Sequence, residues 1–382
     1  MQTAISKAVN SSATAPLVSA HLSAAGRPRP VQFVPHIVPG PRKTDVCLTP
    51  QVEELLAGGA AVAMSISGGK DSVAAALALN DHLNRIAYAG PRVLIHSDLG
   101  VVEWKDSLPA CERLGDYLGW ELVTVRRASG DMLDRWRSRW AGNVRRYISM
   151  SVVNLILPWS TPSMRFCTSE LKTKVITSAL KKRFPNHNIL NVLGVRAEES
   201  ANRARQPVSS ITKDLVRRGF VGVNWNVIQD WRLGDVLDRI DEAGLELHEA
   251  YTVYNSSRLS CAYCIMSSEA DLKAAASCQD NADVFRAMVD LEIESTYAFQ
   301  GSRWLADMAP QLLRPDQVMG VALAKERALE RQRLEAMIPK HLLLDKGRIN
   351  ALPTQQEAAT SMLLPAEGRA ANTPRVAVIL SR

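Results

Sequence analysis

The sequence predicts an α/β chain: a doubly wound, mostly parallel sheet of five strands followed by a helical C-terminal part. Three observations predict it. Short apolar runs of strand length alternate with segments of helical period between residues 52 and 243, as in parallel sheets with crossover helices. The run Ala60–Ile66 breaks at Ser67-Gly68-Gly69 and resumes at once as helix-forming residues, Asp71 to Leu83, giving a strand-turn-helix junction. Polar clusters follow the second and fourth apolar runs, at Ser97–Gly100 and Gly194–Ser200, where open sheets of this kind hold ligands.

Each element has its own signal. Val52, Leu55 and Leu56 make one helical face before the first strand. Arg92–His96, Leu122–Val125, Ile189–Val195 and Val223–Ile228 read as the second to fifth strands. Helices are expected over Glu103–Leu118, over Met132–Tyr147 with Trp136 and Trp140 one turn apart, and after a cap at Thr168 or Ser169. Another runs from Trp231 to Ala243, with Gly244 placed to end it. Further helices are expected over Glu269–Ala276, from Ala282 to about Phe299, and over 318–337. Residues 1–45, rich in Ala, Ser and Pro, read as a disordered or loosely attached arm. Residues 46–300 form the α/β domain, and 301–382 a helical extension with a low-complexity tail.

Composition narrows the function. At 46% hydrophobic and 22% charged residues the chain has an ordinary globular balance. No apolar run approaches the roughly 18 residues of a membrane span. Six cysteines in 382 residues do not make a disulfide scaffold; the pair Cys261-x-x-Cys264 instead suggests a metal or redox role in a reducing compartment, and a cytoplasmic location is expected. The net charge is +7, but residues 1–44 hold five Lys/Arg and no acid, leaving +2 for the rest. A nucleic-acid partner is therefore not indicated by the core charge.

The first turn carries the most chemistry. Gly68 and Gly69 let the backbone approach a ligand closely, and the following helix start offers free N–H groups and a positive dipole end, which suit a phosphate. Lys70 adds a mobile cation and Ser67 and Ser72 add hydroxyls, while Asp71 either caps the helix or holds a magnesium-bound water. The spacing is not that of Walker A, which needs four residues between its first glycine and Gly-Lys. Ser-Gly-Gly-Lys-Asp-Ser resembles the PP-loop, the pyrophosphate-binding signature of ATP pyrophosphatases and adenine-nucleotide α-hydrolases.

The resemblance widens along the chain. Asp98 at a strand end, Arg165-Phe-Cys-Thr-Ser-Glu-Leu-Lys172, Gly194-Val-Arg-Ala-Glu-Glu-Ser200, Asp230-Trp231, His248, Tyr251 and Ser257-Arg-Leu-Ser-Cys-Ala-Tyr-Cys264 follow the loop in order. Together they look like the phosphoadenosine-phosphosulfate (PAPS) reductase family of PP-loop proteins, over roughly residues 60–300. The resemblance implies a nucleotide site of Ser67, Gly68, Gly69, Lys70, Asp71, Ser72 and Asp98, with Lys70, Lys172 and Arg196 as the cationic clamp on a cleaving polyphosphate. Arg203 and Arg205 are weaker candidates. It also implies a metal site at Cys167, Cys261 and Cys264, with Cys278 as either the fourth ligand or a core cysteine. An iron–sulfur cluster is favoured because some PP-loop relatives carry one; zinc is the runner-up, and a redox dithiol at Cys261/Cys264 the alternative.

Two departures shift the expected reaction. PAPS-reducing members bear a catalytic cysteine in a C-terminal Glu-Cys-Gly-x-His signature, and no cysteine follows Cys278 here. They also usually have a degenerate loop, whereas this chain keeps all six loop residues, which suits ATP. The expected enzyme binds Mg-ATP, cleaves at the α-phosphate to give pyrophosphate, and activates an unidentified acceptor in sulfur transfer, in the manner of the family's DNA phosphorothioation sulfurtransferases. The alternatives are reduction of PAPS or APS to sulfite with a thiol donor, and a non-catalytic nucleotide-binding or nucleic-acid-associated module.

Overall fold

A computed structural model describes residues 43–149 and 151–338. Almost all of the expected N-terminal arm and the C-terminal tail lie outside the described residues.

Six strands form one sheet: β1 (Ala61–Ile66), β2 (Arg92–Asp98), β3 (Leu122–Arg126), β4 (Ile189–Leu193), β5 (Ser209–Ile211) and β6 (Gly222–Asn226). Their order is β3-β2-β1-β4-β6-β5. Every pairing is parallel except β5 with β6. The five expected strands are present, and the sixth corrects the count. It is a three-residue antiparallel edge strand of two serines and one exposed isoleucine, too short and polar to show a period. The fifth expected strand overran: the chain turns after Asn226, so Val227 and Ile228 are buried outside the sheet.

Twelve α-helical segments occur among the described residues. They are α1 (Pro50–Ala57), α2 (Lys70–Arg85), α3 (Ser107–Leu118), α4 (Met132–Ile148), α5 (Phe166–Thr168), α6 (Lys174–Arg183), α7 (Ala201–Ala204), α8 (Leu233–Glu242), α9 (Glu249–Thr252), α10 (Glu269–Ser277), α11 (Ala282–Ser295) and α12 (Pro315–Glu335). Helix α3 starts four residues later than expected, because Glu103–Asp106 makes a turn, closed by the Ser107 N–H donating to the Trp104 carbonyl at 3.0 Å. Neither Thr168 nor Ser169 caps a helix: the chain is already helical at Phe166 and passes through a π-helical turn, Ser169–Thr173, into α6. Helix α8 ends before Gly244, which takes φ +63°, as its glycine predicts.

The sheet is covered on both faces. Val62, Met64, Leu190 and Val192 pack with α1, α2, α3 and α8 on one side, while Ala61, Ala63, Val93 and Ile95 meet Leu180 and Phe184 of the α6 region on the other. A third apolar cluster joins α4 to the C-terminal helices through Trp136, Trp159, Phe285 and Phe299. The strand order reverses between β1 and β4, and a crevice opens at such a switch point beyond the carboxyl ends of the strands. Ser67 leaves β1 and Gly194 leaves β4 there.

Candidate nucleotide and thiol site

The turn after β1 is built by main-chain geometry. Gly68 has φ +75°, and a Cβ at this position would lie 3.0 Å from the Ser107 carbonyl oxygen, so only glycine fits without strain. The Ser67 N–H donates to Ser72 Oγ at 3.3 Å, and the Ser72 hydroxyl donates to the Gly69 carbonyl at 2.8 Å. The Ser72 hydroxyl therefore closes the turn from within rather than facing outward. Gly68 and Gly69 are buried, and the N–H groups of Gly68, Gly69 and Asp71 have no protein acceptor among the described residues. Buried unpaired amides at the start of a 16-residue helix form an anion cradle, since such donors are costly to leave unsatisfied.

Lys70 stays on the carboxyl rim. Its Nζ lies 3.4 Å from the Ser257 carbonyl, 3.5 Å from Asp71 Oδ2 and 4.8 Å above the centre of the Tyr251 ring. The Tyr251 hydroxyl accepts from the N–H groups of Lys70 (3.4 Å) and Leu259 (3.0 Å). With Leu259, which would sit 3.3 Å from a Cβ at Gly69, it forms a roof over the turn. Asp271 braces that roof, accepting from the Ser257 N–H at 2.7 Å and from the hydroxyls of Ser256, Ser257 and Ser268. Burial pushes its carboxyl pKa up, but these hydrogen bonds win and hold it below its ordinary value.

Asp71 neither caps α2 nor stands free for a magnesium-bound water. The helix is capped by Gly69 without a side chain, and Asp71 Oδ1 accepts from Arg196 Nε at 2.6 Å. The other arm of Arg196 donates to Glu198 at 2.6 Å, and the residue is 4% exposed. Arg196 thus joins β4 to the loop helix instead of presenting a free cation. Asp98 is a turn cap: it accepts from the Gly100 N–H at 2.7 Å and from Arg126 at 2.9 and 2.5 Å. Arg203 pairs with Glu199 and Arg205 with Asn202, so neither faces the turn unengaged.

The π-helical turn places Lys172 close to the thiols. Leu171 carbonyl accepts the Ser97 hydroxyl at 2.5 Å, fixing this turn to the end of β2 beside the loop. The Cys261 thiol is pushed well above its usual pKa by burial first and by Cys264 next. Lys172 opposes the rise, and Glu103 and Cys167 add to it. Three thiols, Lys172 and Glu103 therefore share one neighbourhood. Cys278 is buried in the apolar cluster against which Cys167 and Cys261 also pack. Among the described residues no group of three or more His, Cys, Asp or Glu side chains is drawn together as a metal-ion site. The donor chemistry of Cys167, Cys261 and Cys264 suits a thiolate-bound cluster.

Two buried histidines flank the turn. His96 Nδ1 lies 3.2 Å from the Ile66 carbonyl and Nε2 lies 3.1 Å from Glu103. Burial works against its charge, but hydrogen bonds with Cys111 and Glu103 prevail and raise its pKa to about 10. His248 Nδ1 accepts the Ala250 N–H at 3.0 Å, and its ring edge would meet a Cβ at Gly68. Burial lowers its pKa to about 4, against the pull of Asp106. Tyr251 and His248 were visible in sequence only as parts of a wider resemblance; nothing local marked the tyrosine as the roof.

No protein-family model matches this chain, and no curated protein does. Among solved structures it is similar to the U34-tRNA thiolase NcsA from Methanococcus maripaludis with its [4Fe-4S] cluster. The identity is 14%, covering 68% of this chain and 83% of that one, with a TM-score of 0.33.

Proposed function

We propose that the chain binds ATP with magnesium at Ser67–Ser72, cleaves it between the α and β phosphates, and transfers the AMP moiety to an acceptor that is thereby activated for sulfur insertion. The observation that carries this reading is the buried turn with three unpaired N–H groups at the head of α2, with Lys70 beside it. In the proposed step an acceptor oxygen attacks the α-phosphorus, the bond to the bridging oxygen breaks, and pyrophosphate departs with its charge held by the Gly68, Gly69 and Asp71 amides and Lys70. Positioning and charge stabilisation supply most of the acceleration. Lys172 would face the transferred group from the other side of the crevice, and Arg196 would act through Asp71 as a positioning residue. A later attack by a sulfur nucleophile would displace AMP.

We further propose Cys167, Cys261 and Cys264 as ligands of an iron–sulfur cluster, which when bound would supply a site for sulfur. The nucleotide reading is tested with Lys70→Ala. Pyrophosphate release should fall by about 100-fold or more while the thermal midpoint stays within a few degrees of wild type. Undiminished ATP cleavage in that variant would refute the assignment.

A further inference from the structure

The near-neutral sum outside the N-terminal arm conceals a strong asymmetry. Between Arg126 and Arg183 the chain carries thirteen Lys/Arg and three Asp/Glu, a net +10, which leaves −8 for the rest of residues 45–382. All three acids are engaged. Asp131 and Asp134 cap the start of α4 reciprocally. Glu170 is held by Arg135 at 2.6 and 3.0 Å, with Arg127 and Lys174 nearby. By contrast Arg137, Arg145, Arg146, Arg165 and Lys182 are exposed and meet no carboxylate among the described residues, and exposed Lys174 lies near Glu170 without a hydrogen bond to it.

Three of these cations lie on α4, two in the 165–174 segment and one, Lys182, further along α6. Helix α4 buries Met132, Leu133, Trp136, Trp140, Asn143 and Tyr147, so Arg145 stands opposite the buried stripe, with Arg137 on one flank of the exposed face and Arg146 on the other. Arg135 and Arg139 lie over the Phe166 ring, 4.7 and 5.1 Å from its centre, and so dock α4 onto the turn that carries Arg165, Lys172 and Lys174. That turn adjoins the Cys261 thiol. The exposed face of α4, which at 17 residues is about 25 Å long, is thus basic across its width and is joined to the candidate site through the 165–174 turn.

We propose that α4 and the 165–174 turn form a docking surface for the phosphate backbone of a double-helical nucleic acid. Like charges kept unpaired along such a length repel one another, and a small anion would neutralise only one or two of them; a polymer of phosphates matches the whole face. The segment offers no base-stacking platform, because Trp136, Trp140, Tyr147, Trp159 and Phe166 are all buried. Single-strand binders depend on exposed aromatics, so a duplex backbone is the better fit. That the docked chain is also the acceptor rests on the function proposed above; the docking itself does not.

The test is fluorescence anisotropy of the full chain with labelled duplexes of about 20 base pairs, in RNA and DNA arms, between about 50 and 200 mM salt. The matching single strand and poly-glutamate serve as competitors. Engagement of about five phosphates predicts that log affinity falls with log salt at a slope of about −4 to −5. The R137E/R145E/R146E variant should bind at least about 10-fold more weakly, as should the milder R145Q/R146Q should the triple reversal fail to fold. Both should retain the wild-type thermal midpoint and ATP affinity. Whichever duplex binds more tightly identifies the sugar. Undiminished binding by the folded variants, or stronger binding of poly-glutamate or the single strand, would overturn the proposal. A wild-type chain that binds duplex but releases no pyrophosphate would instead refute only the catalytic reading.

Discussion

Arg196 and Asp71 meet at 2.6 Å, Nε to Oδ1, in a pair whose side chains are 5% and 19% exposed. Arg196 follows β4 and Asp71 opens α2, so the pair joins the two elements that border the crevice. The nearby Lys70 also reaches Asp71, at 3.5 Å. The carboxylate therefore steers the lysine and receives the arginine at once.

Arg196→Met should leave Asp71 partly buried with only Lys70 as a cationic partner. Breaking a buried pair costs about 3–5 kcal/mol, and the solvent reaching Asp71 reduces this to about 2 kcal/mol. Urea denaturation of Arg196→Met, Asp71→Asn and the double variant checks it. Strictly additive losses would show that the two side chains do not act as a unit.

His248 predicts a pH dependence. Its folded pKa of about 4 lies below the ordinary value near 6.5, so the unfolded chain binds the proton first. Its contribution is fully present above about pH 6.5 and is lost as pH falls through 4. His248→Asn keeps an acceptor for the Ala250 N–H but cannot titrate. The fall in urea midpoint between pH 7 and pH 4.5 should be smaller in this variant than in wild type.

Glu292 is wholly buried and accepts from the N–H groups of Phe299 (2.8 Å), Leu305 (2.7 Å) and Ala306 (3.1 Å). Burial pushes its carboxyl up, to about 7, against these donors. Glu292→Ala strands three buried N–H groups, each costing about 1–3 kcal/mol, so a loss on the order of 3 kcal/mol or more is expected in chemical denaturation. Glu292→Gln, which keeps one acceptor oxygen, should lose less.

The cysteines make a spectroscopic prediction. In anaerobically purified protein, iron, sulfide and visible charge-transfer absorption should disappear in Cys167→Ser, Cys261→Ser and Cys264→Ser. They should persist in Cys278→Ser, whose thiol is buried among apolar side chains. Loss of the absorption in Cys278→Ser alone would reverse the ligand assignment.

Local signals were legible in the sequence. The six-residue turn, the first four parallel strands and the glycine stop after α8 each depend on neighbours a few positions away. What escaped depends on distant partners. Whether Arg196 faces a ligand or a carboxylate is decided by Asp71, 125 positions earlier. Asp98 accepts from Arg126, 28 positions later, a partner that its own neighbourhood in the sequence does not announce. Tyr251 became a roof only because the 257–259 loop folds back over α2. The whole-chain charge misled for another reason: a sum over 382 residues erases a segmental excess that a count over α4 to α6 makes plain.

Gly194 sets a limit on how the crevice can be altered. A Cβ there would stand 2.7 Å from the Asp71 carbonyl oxygen and 2.9 Å from its carbon, so the exit of β4 rests directly on the main chain of α2. The floor is thus two backbones in contact, with no side chain between them to lengthen or trim. Any remodelling of ligand choice must come from above, through Tyr251, Leu259 and the loop that Asp271 braces, while the base stays at one depth.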